Sequence, residues 1–310
     1  MATYFIDLRA DSAGGNPVAT ASDVVVRTTD QPNPNPAFPL APALLQAVRG
    51  RDVLLATHGF NVNRADGIAH LSQWSRWVDL GANGFFVGVL WPGDSRWLPV
   101  VDYPVEGNEA IRSGRLLADY LVANFPGVNS LSFASHSLGA RVVLEAIRSL
   151  PEQAFTLNSL TMMAGAIDDS CLGDEYIEAA SRMARISVLA SNCDAVLELA
   201  FPAGNPLAGI ITRGHPYWHG ALGRYGPNPE DQPRQLVKTP ILPDVWKFGH
   251  GSYISTSTPT AGQTQSGPFY PPAVAVPAQG APLPGPLPPR LNWQQAWAAG
   301  FVSTHFAVAR

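Results

Sequence analysis

Ser137 stands at the centre of Ser135-His136-Ser137-Leu138-Gly139, between the apolar run Ser130–Ala134 and a helix-like stretch, "ARVVLEAI". A serine hydroxyl becomes a useful nucleophile when a neighbouring base takes its proton. The spacing fits the nucleophile elbow, G-x-S-x-G, with serine in place of the first glycine. A sharp strand-to-helix turn pushes the central side chain outward, so the residues two before and two after it must be small. Ser135 is small and Gly139 satisfies the rule outright. The same turn leaves backbone N–H groups at a helix N-terminus, aimed where negative charge develops during acyl transfer. A serine there can also serve simply as a helix N-cap. What favours chemistry over capping is the context of a strand end that opens a helix.

A second stretch supports the first. "LLATHGFNVN" ends an apolar run in His58-Gly59-Phe60, well upstream of Ser137. Glycine lets the backbone turn sharply there, so that the next N–H points toward the serine. The N–H groups of Phe60 and Leu138 are therefore the expected oxyanion hole. His58 reads as a histidine bracing this loop, in preference to a catalytic one.

These residues need a scaffold, and the chain alternates apolar runs with helical patterns, as strands joined by crossover helices do. "TYFIDLRA" and "SDVVVRTT" predict an opening hairpin, and "QPNPNPAFPLAP" a proline-rich surface connection. "RDVLLATHG" and "GFFVGVLWPG" read as strands buried on both faces. Between them a helix is expected over Arg64–Leu80, with Ile68, Leu71, Trp74 and Val78 on one face. A second helix is expected over Glu106–Asn124. "SLTMMAGAI" and "RISVLAS" continue the strand series, and "VKTPILPDVW" is a weaker strand because two prolines interrupt it. Beyond Ser255 proline, glycine and alanine dominate, a composition that resists regular structure. "LNWQQAWAAGFVSTHF" then predicts a final helix anchored by Trp293 and Trp297. The expected organisation is a catalytic domain over 1–254 and an extension over 255–310 packed on the same domain.

The totals agree with a folded α/β chain. Apolar residues are 46% and charged residues 14% of 310, which allows a large core and argues against general disorder. A formal net charge of −4 without basic runs argues against nucleic acid as a partner. No stretch reaches the roughly 20 apolar residues of a membrane span. "MATYFIDLRADSAGG" has no basic region followed by an apolar run, so it does not read as a secretory signal and a cytoplasmic location is expected. Cys171 and Cys193 read as reduced thiols, with a disulfide left open because both follow neighbouring strands.

The motifs "HGFNV", "SHSLGARVV", "SVLASNCDAVL" and "GHGSYI", in that order from about Asp52 to Ile254, resemble the α/β-hydrolase fold superfamily. The likeness is greatest to a bacterial branch of mostly uncharacterised members. It implies an α/β-hydrolase fold: a predominantly parallel central sheet with helices on both faces. It also implies a triad in the order serine, acid, histidine. Asp194, directly after "RISVLASNC", falls on the family's acid, with Asp168 and Asp169 at the preceding strand end as rivals. His250, between glycines in "FGHGSYI", matches the family's histidine loop. His215, His219 and His305 also follow Asp194, and Pro216 argues against a helical metal pair at His215 and His219.

The resemblance thus implies Ser137, Asp194 and His250 as a proton-passing row in a serine hydrolase that forms an acyl-enzyme, with no metal or other cofactor. A carboxylesterase or lipase-like activity on small-molecule or lipid-like esters is expected. Acyltransferase or amidase activity would use the same triad, and a non-catalytic binding protein on the same fold is the alternative from another class. Trp91, Trp97, Tyr103, Trp218 and Trp246, with Phe60, are candidates for the wall of an apolar cleft.

Overall fold

A computed structural model describes residues 2–10, 18–33, 40–94, 103–199, 220–228, 233, 236, 241–254 and 293–307. Among the described residues seven strands form one sheet: β1 (Tyr4–Asp7), β2 (Val25–Thr28), β3 (Asp52–Thr57), β4 (Gly84–Leu90), β5 (Ser130–His136), β6 (Leu157–Met163) and β7 (Arg185–Leu189). Their order is β2-β1-β4-β3-β5-β6-β7, with every pair parallel except the β1–β2 hairpin, in which Tyr4 faces Thr28. β5 and β6 are buried almost without interruption. Side chains alternate between faces along a strand, so such runs require cover on both sides.

That cover comes from α1 (Ala41–Val48), α2 (Arg64–Trp74), α3 (Tyr103–Asn124), α4 (Gly139–Ser149), α5 (Ile177–Arg182), α6 (Leu222–Tyr225) and α7 (Trp293–Ala307). α4 buries Val142, Val143, Leu144, Ala146 and Ile147. It approaches α3 so closely that a Cβ on Gly114 would lie 2.6 Å from the Val142 carbonyl. α7 buries Trp297, Phe301, Val302 and Phe306, and Asn158 of β6 donates to the Phe306 carbonyl at 3.1 Å.

Three expectations differ from the structure. α2 ends at Trp74, followed by a turn over 75–77, six residues before the predicted end. α1 was not anticipated, because the prolines of the preceding connection mask a helix that tolerates Pro42 in its first turn. The interrupted stretch "VKTPILPDVW" has no strand among its described residues. Ile241–Pro243 is irregular and Asp244–Trp246 is a 3₁₀ turn, tied to the sheet by the Leu242 N–H donating to the Ala190 carbonyl at 2.8 Å.

The chain leaves β3 toward β4 on one side of the sheet and later places β5 on the other. Ligands of open α/β sheets bind where strand order reverses, outside the carboxyl ends of the strands. Both motif loops, after β3 and after β5, open at that point. Among the described residues no helix is long and apolar enough to cross a membrane.

Candidate active site

Ser137 follows β5 directly and has φ +54°, a left-handed conformation that non-glycine residues seldom adopt. Its neighbours hold it there. The Ser137 N–H donates to the Met163 carbonyl at 3.0 Å, and its own carbonyl accepts from the Ala140 N–H at 3.1 Å, starting α4. Ser135 is fully buried, as a residue two before the turn must be. A Cβ on Gly139 would lie 2.5 Å from the His58 carbonyl, and one on Gly59 would lie 2.8 Å from the Ser137 Cβ. Glycine at both positions is what lets the two loops touch.

That contact sets Gly59, the residue before Phe60, against the serine. Among the described residues, no acceptor takes the N–H of Phe60 or of Leu138. Leu138 is the residue at the N-terminus of α4, where the helix dipole favours an anion. His58 braces the loop from behind. Its Nδ1 lies 2.9 Å from the Gly59 carbonyl, and the Trp91 N–H reaches its Nε2 at 3.3 Å. Nε2 is thus the acceptor, Nδ1 carries the proton, and burial pushes the ring's pKa down to about 3.

Arg9, from the end of β1, pairs with Asp94 and donates to the Val62 carbonyl. It thereby ties the loop after β3 to the segment after β4. The Asn61 N–H, donating to the Gly93 carbonyl, makes a second tie. No motif marks Arg9, since its role depends on a neighbour in space.

His250 opens a 3₁₀ turn, His250–Ser252, whose start is closed by the Gly249 N–H donating to Ser252 Oγ at 3.1 Å. Its Nε2 lies 2.9 Å from Ser137 Oγ, and its Nδ1 lies 2.8 Å from Asp194 Oδ2. Asp194 is completely buried, and its other oxygen accepts from the Leu197 N–H at 3.0 Å. Asp194 therefore caps the helical turn at 195–199 with one oxygen and holds a histidine with the other. One carboxylate thus both caps a helical turn and orients a histidine.

The rival residues lie elsewhere. Asp168 accepts from the N–H and hydroxyl of Ser170, and Asp169 from the Gly220 N–H, so both organise their own loop. His305 is on α7, with Nδ1 at 2.9 Å from the Phe301 carbonyl and its ring stacked on Phe301. His215 and His219 lie outside the described residues. Cys171 and Cys193 are free thiols, and burial raises the pKa of Cys171.

The expected cleft wall is corrected at two positions. Trp91 is fully buried, stacks on His58, and donates its indole N–H to the His58 carbonyl at 2.9 Å. Trp246 is buried against Trp293 and Trp297 of α7. Both are core residues, because a large aromatic ring beneath a loop contributes more by burial than by facing water. Trp97 and Trp218 lie outside the described residues, as does the side chain of Tyr103.

The His250 loop is hung from side chains. Ser191 donates to the Phe248 carbonyl at 2.7 Å. Gln294 of α7 donates to the carbonyls of Trp246 at 2.6 Å and Lys247 at 2.9 Å, and Gln295 to that of Gly251 at 3.3 Å. Reading the sequence missed these donors, because a lone serine or glutamine carries no spacing signal. Among the described residues, no group of three or more His, Cys, Asp or Glu side chains is placed to hold a metal ion.

A family model described as an alpha/beta hydrolase of unknown function (DUF900) matches residues 42–208, more than half of the chain. No curated protein matches. Among solved structures, carboxyl esterase 2 from the mycorrhizal fungus Tuber melanosporum aligns at 14% identity and TM-score 0.30, covering 68% of this chain and 78% of its own. Esterase B from Lactobacillus Rhamnosis aligns at 14% identity and TM-score 0.27, covering 46% and 56%. Lipase B from Aspergillus fumigatus aligns at 10% and 0.25, covering 39% and 25%. The chain thus spans about a quarter of that lipase and just over half of that Lactobacillus esterase. Likenesses this remote do not bear on what the chain does.

Proposed function

The chain belongs to the family of α/β hydrolases of unknown function, DUF900, and from that premise we propose that it is a serine hydrolase cleaving carboxylic ester bonds. The observation that carries this reading is the unbroken row from Ser137 Oγ through His250 to Asp194, with links of 2.9 and 2.8 Å. A histidine bound on one nitrogen by a buried carboxylate presents its other nitrogen as an acceptor. Ser137 Oγ–H is the group that meets it.

In this reading His250 Nε2 takes the hydroxyl proton as Oγ attacks the ester carbonyl carbon. Asp194 stabilises the imidazolium that results. The Phe60 and Leu138 amides hold the carbonyl oxygen as it becomes an oxyanion; one such donor typically contributes about 100- to 1000-fold in turnover. The C–O bond breaks, the departing alkoxide takes the proton from Nε2, and the acyl group remains on Oγ. Water then gives a proton to Nε2, attacks the acyl carbon and releases the acid, returning the proton to Ser137. Apart from the ester and one water, these steps use only Ser137, His250, Asp194 and the two amides. Small-molecule or lipid-like esters are the proposed substrates.

The test is a panel of p-nitrophenyl esters of increasing acyl length, assayed with the wild-type chain and with Ser137→Ala. Saturable release of nitrophenol by the first and none above background by the second supports the reading. Equal rates from both overturn it.

A further inference from the structure

The suspended loop has one support that acts on the histidine itself. The His250 carbonyl accepts a hydrogen bond from His136 Nε2 at 2.7 Å. His136 is the last residue of β5, paired with Met163 of β6, and it immediately precedes Ser137. One rigid strand end therefore presents the serine hydroxyl and, one residue earlier, the donor that fixes the backbone of the residue meeting that hydroxyl. The two imidazoles lie 4.9 Å apart between centroids, tilted by 52°. On the other side of His136, a Cβ on Gly59 would come within 3.0 Å of its Nδ1. His136 is thus set between the loop bearing Phe60 and the loop bearing His250.

We propose that His136 is a positioning residue, holding His250 at reacting distance from Ser137 through a hydrogen bond to the His250 carbonyl. The role rests on the hydrolase reading above. A carbonyl only accepts, so His136 must carry its proton on Nε2. The ring keeps that neutral form because burial, reinforced by His250 beside it, pushes its pKa down to about 3. A neutral ring also adds no positive charge beside His250 when the latter takes the serine proton.

The other donors to this loop act at a distance from the reacting nitrogen. Ser191 binds two residues before His250 and Gln295 one residue after it. His136 binds at the residue itself, so its loss moves the imidazole most directly. Misplacing a reacting group by about 1 Å costs on the order of 100-fold in rate.

Two substitutions separate hydrogen bonding from packing. His136→Phe keeps an aromatic ring and removes the donor. His136→Gln loses the ring but carries an N–H the same number of bonds from Cβ as Nε2. Two readouts are taken on the full chain: the rate of Ser137 labelling by a fluorophosphonate probe, with kcat and KM on a p-nitrophenyl ester, and the downfield NMR signal of the His250 Nδ1 proton held on Asp194.

The expected result is that His136→Phe lowers labelling and kcat by about 10- to 100-fold with KM nearly unchanged and broadens the Nδ1 signal. His136→Gln restores most of both. A Phe variant with wild-type rates and an unaltered signal overturns the proposal, as does equal loss in both variants, which would assign the effect to ring packing. The NMR readout needs no substrate. An Nδ1 signal lost in Phe and kept in Gln, in a wild-type chain that turns over no ester and takes no probe, supports the positioning geometry and removes the hydrolase reading alone.

Discussion

The turn that carries Ser137 and the loop that carries His250 meet at 2.9 Å, yet they are built in different ways. The serine turn is made of backbone: a strand paired on both sides, a helix that starts at once, and two glycines where loops touch. The histidine loop has no strand among its described residues and is carried by side-chain donors from β5, the end of β7 and α7. A backbone-built site should lose stability and activity together when disturbed. A loop hung from side chains should lose activity while the fold stands.

The largest effect is expected at the point of contact. Ser137→Ala keeps the turn and removes the proposed nucleophile, and is expected to lower kcat by on the order of a millionfold, with an unchanged urea midpoint. A Ser137→Ala variant that retains substantial turnover would break the comparison at its centre. Asp194→Asn comes next, at about 10⁴-fold in kcat, because the amide favours the wrong tautomer of His250. The remaining cap on Leu197 should keep most of the stability, so an urea midpoint near wild type is the companion result.

Behind the serine turn, His58 predicts a pH dependence of stability. Its ring is buried and neutral, with a folded pKa of about 3 against 6.5 for the free side chain. The unfolded chain binds the extra proton first. Stability from this group is therefore complete above about pH 6.5 and falls as pH drops toward 3, by roughly 3–5 kcal/mol in total. Urea midpoints taken across that window should fall in wild type and fall less steeply in His58→Gln.

Gly139→Ala tests the backbone construction directly. The new Cβ meets the His58 carbonyl at 2.5 Å, and such overpacking costs about 1–3 kcal/mol. Stability and kcat should decline together. Gln294→Leu, on the other side, removes donors to Trp246 and Lys247 from α7. It should lower kcat by about tenfold or less with little change in urea midpoint. If the Leu variant instead unfolds the chain, the two regions do not differ as argued.

How far each region could be read in advance follows from the same difference. The strands from β3 to β7 and helix α4 write themselves as apolar runs and a repeating face, because each is specified by its own residues. Ser137 and Gly59 are marked by small residues at fixed offsets, which a sharp turn demands of its own sequence. Asp194 is legible as a candidate through its place after β7, and both Asp194 and His250 through their resemblance to a family pattern. The support of the histidine loop is not legible, since Gln294 and Gln295 lie more than forty residues from it and contribute one side-chain amide each. Trp91 and Trp246 mislead for a related reason. Aromatic rings near a site have the same composition whether they line a cleft or fill the space beneath it. Only the positions of His58 and α7 separate the two.

The most direct measurement is the mass of the chain and its peptides after incubation with a fluorophosphonate probe. The account predicts one adduct per chain, on the peptide containing Ser137, formed in wild type and absent from His250→Ala under the same conditions. An unmodified chain, or an adduct on another residue, would contradict it.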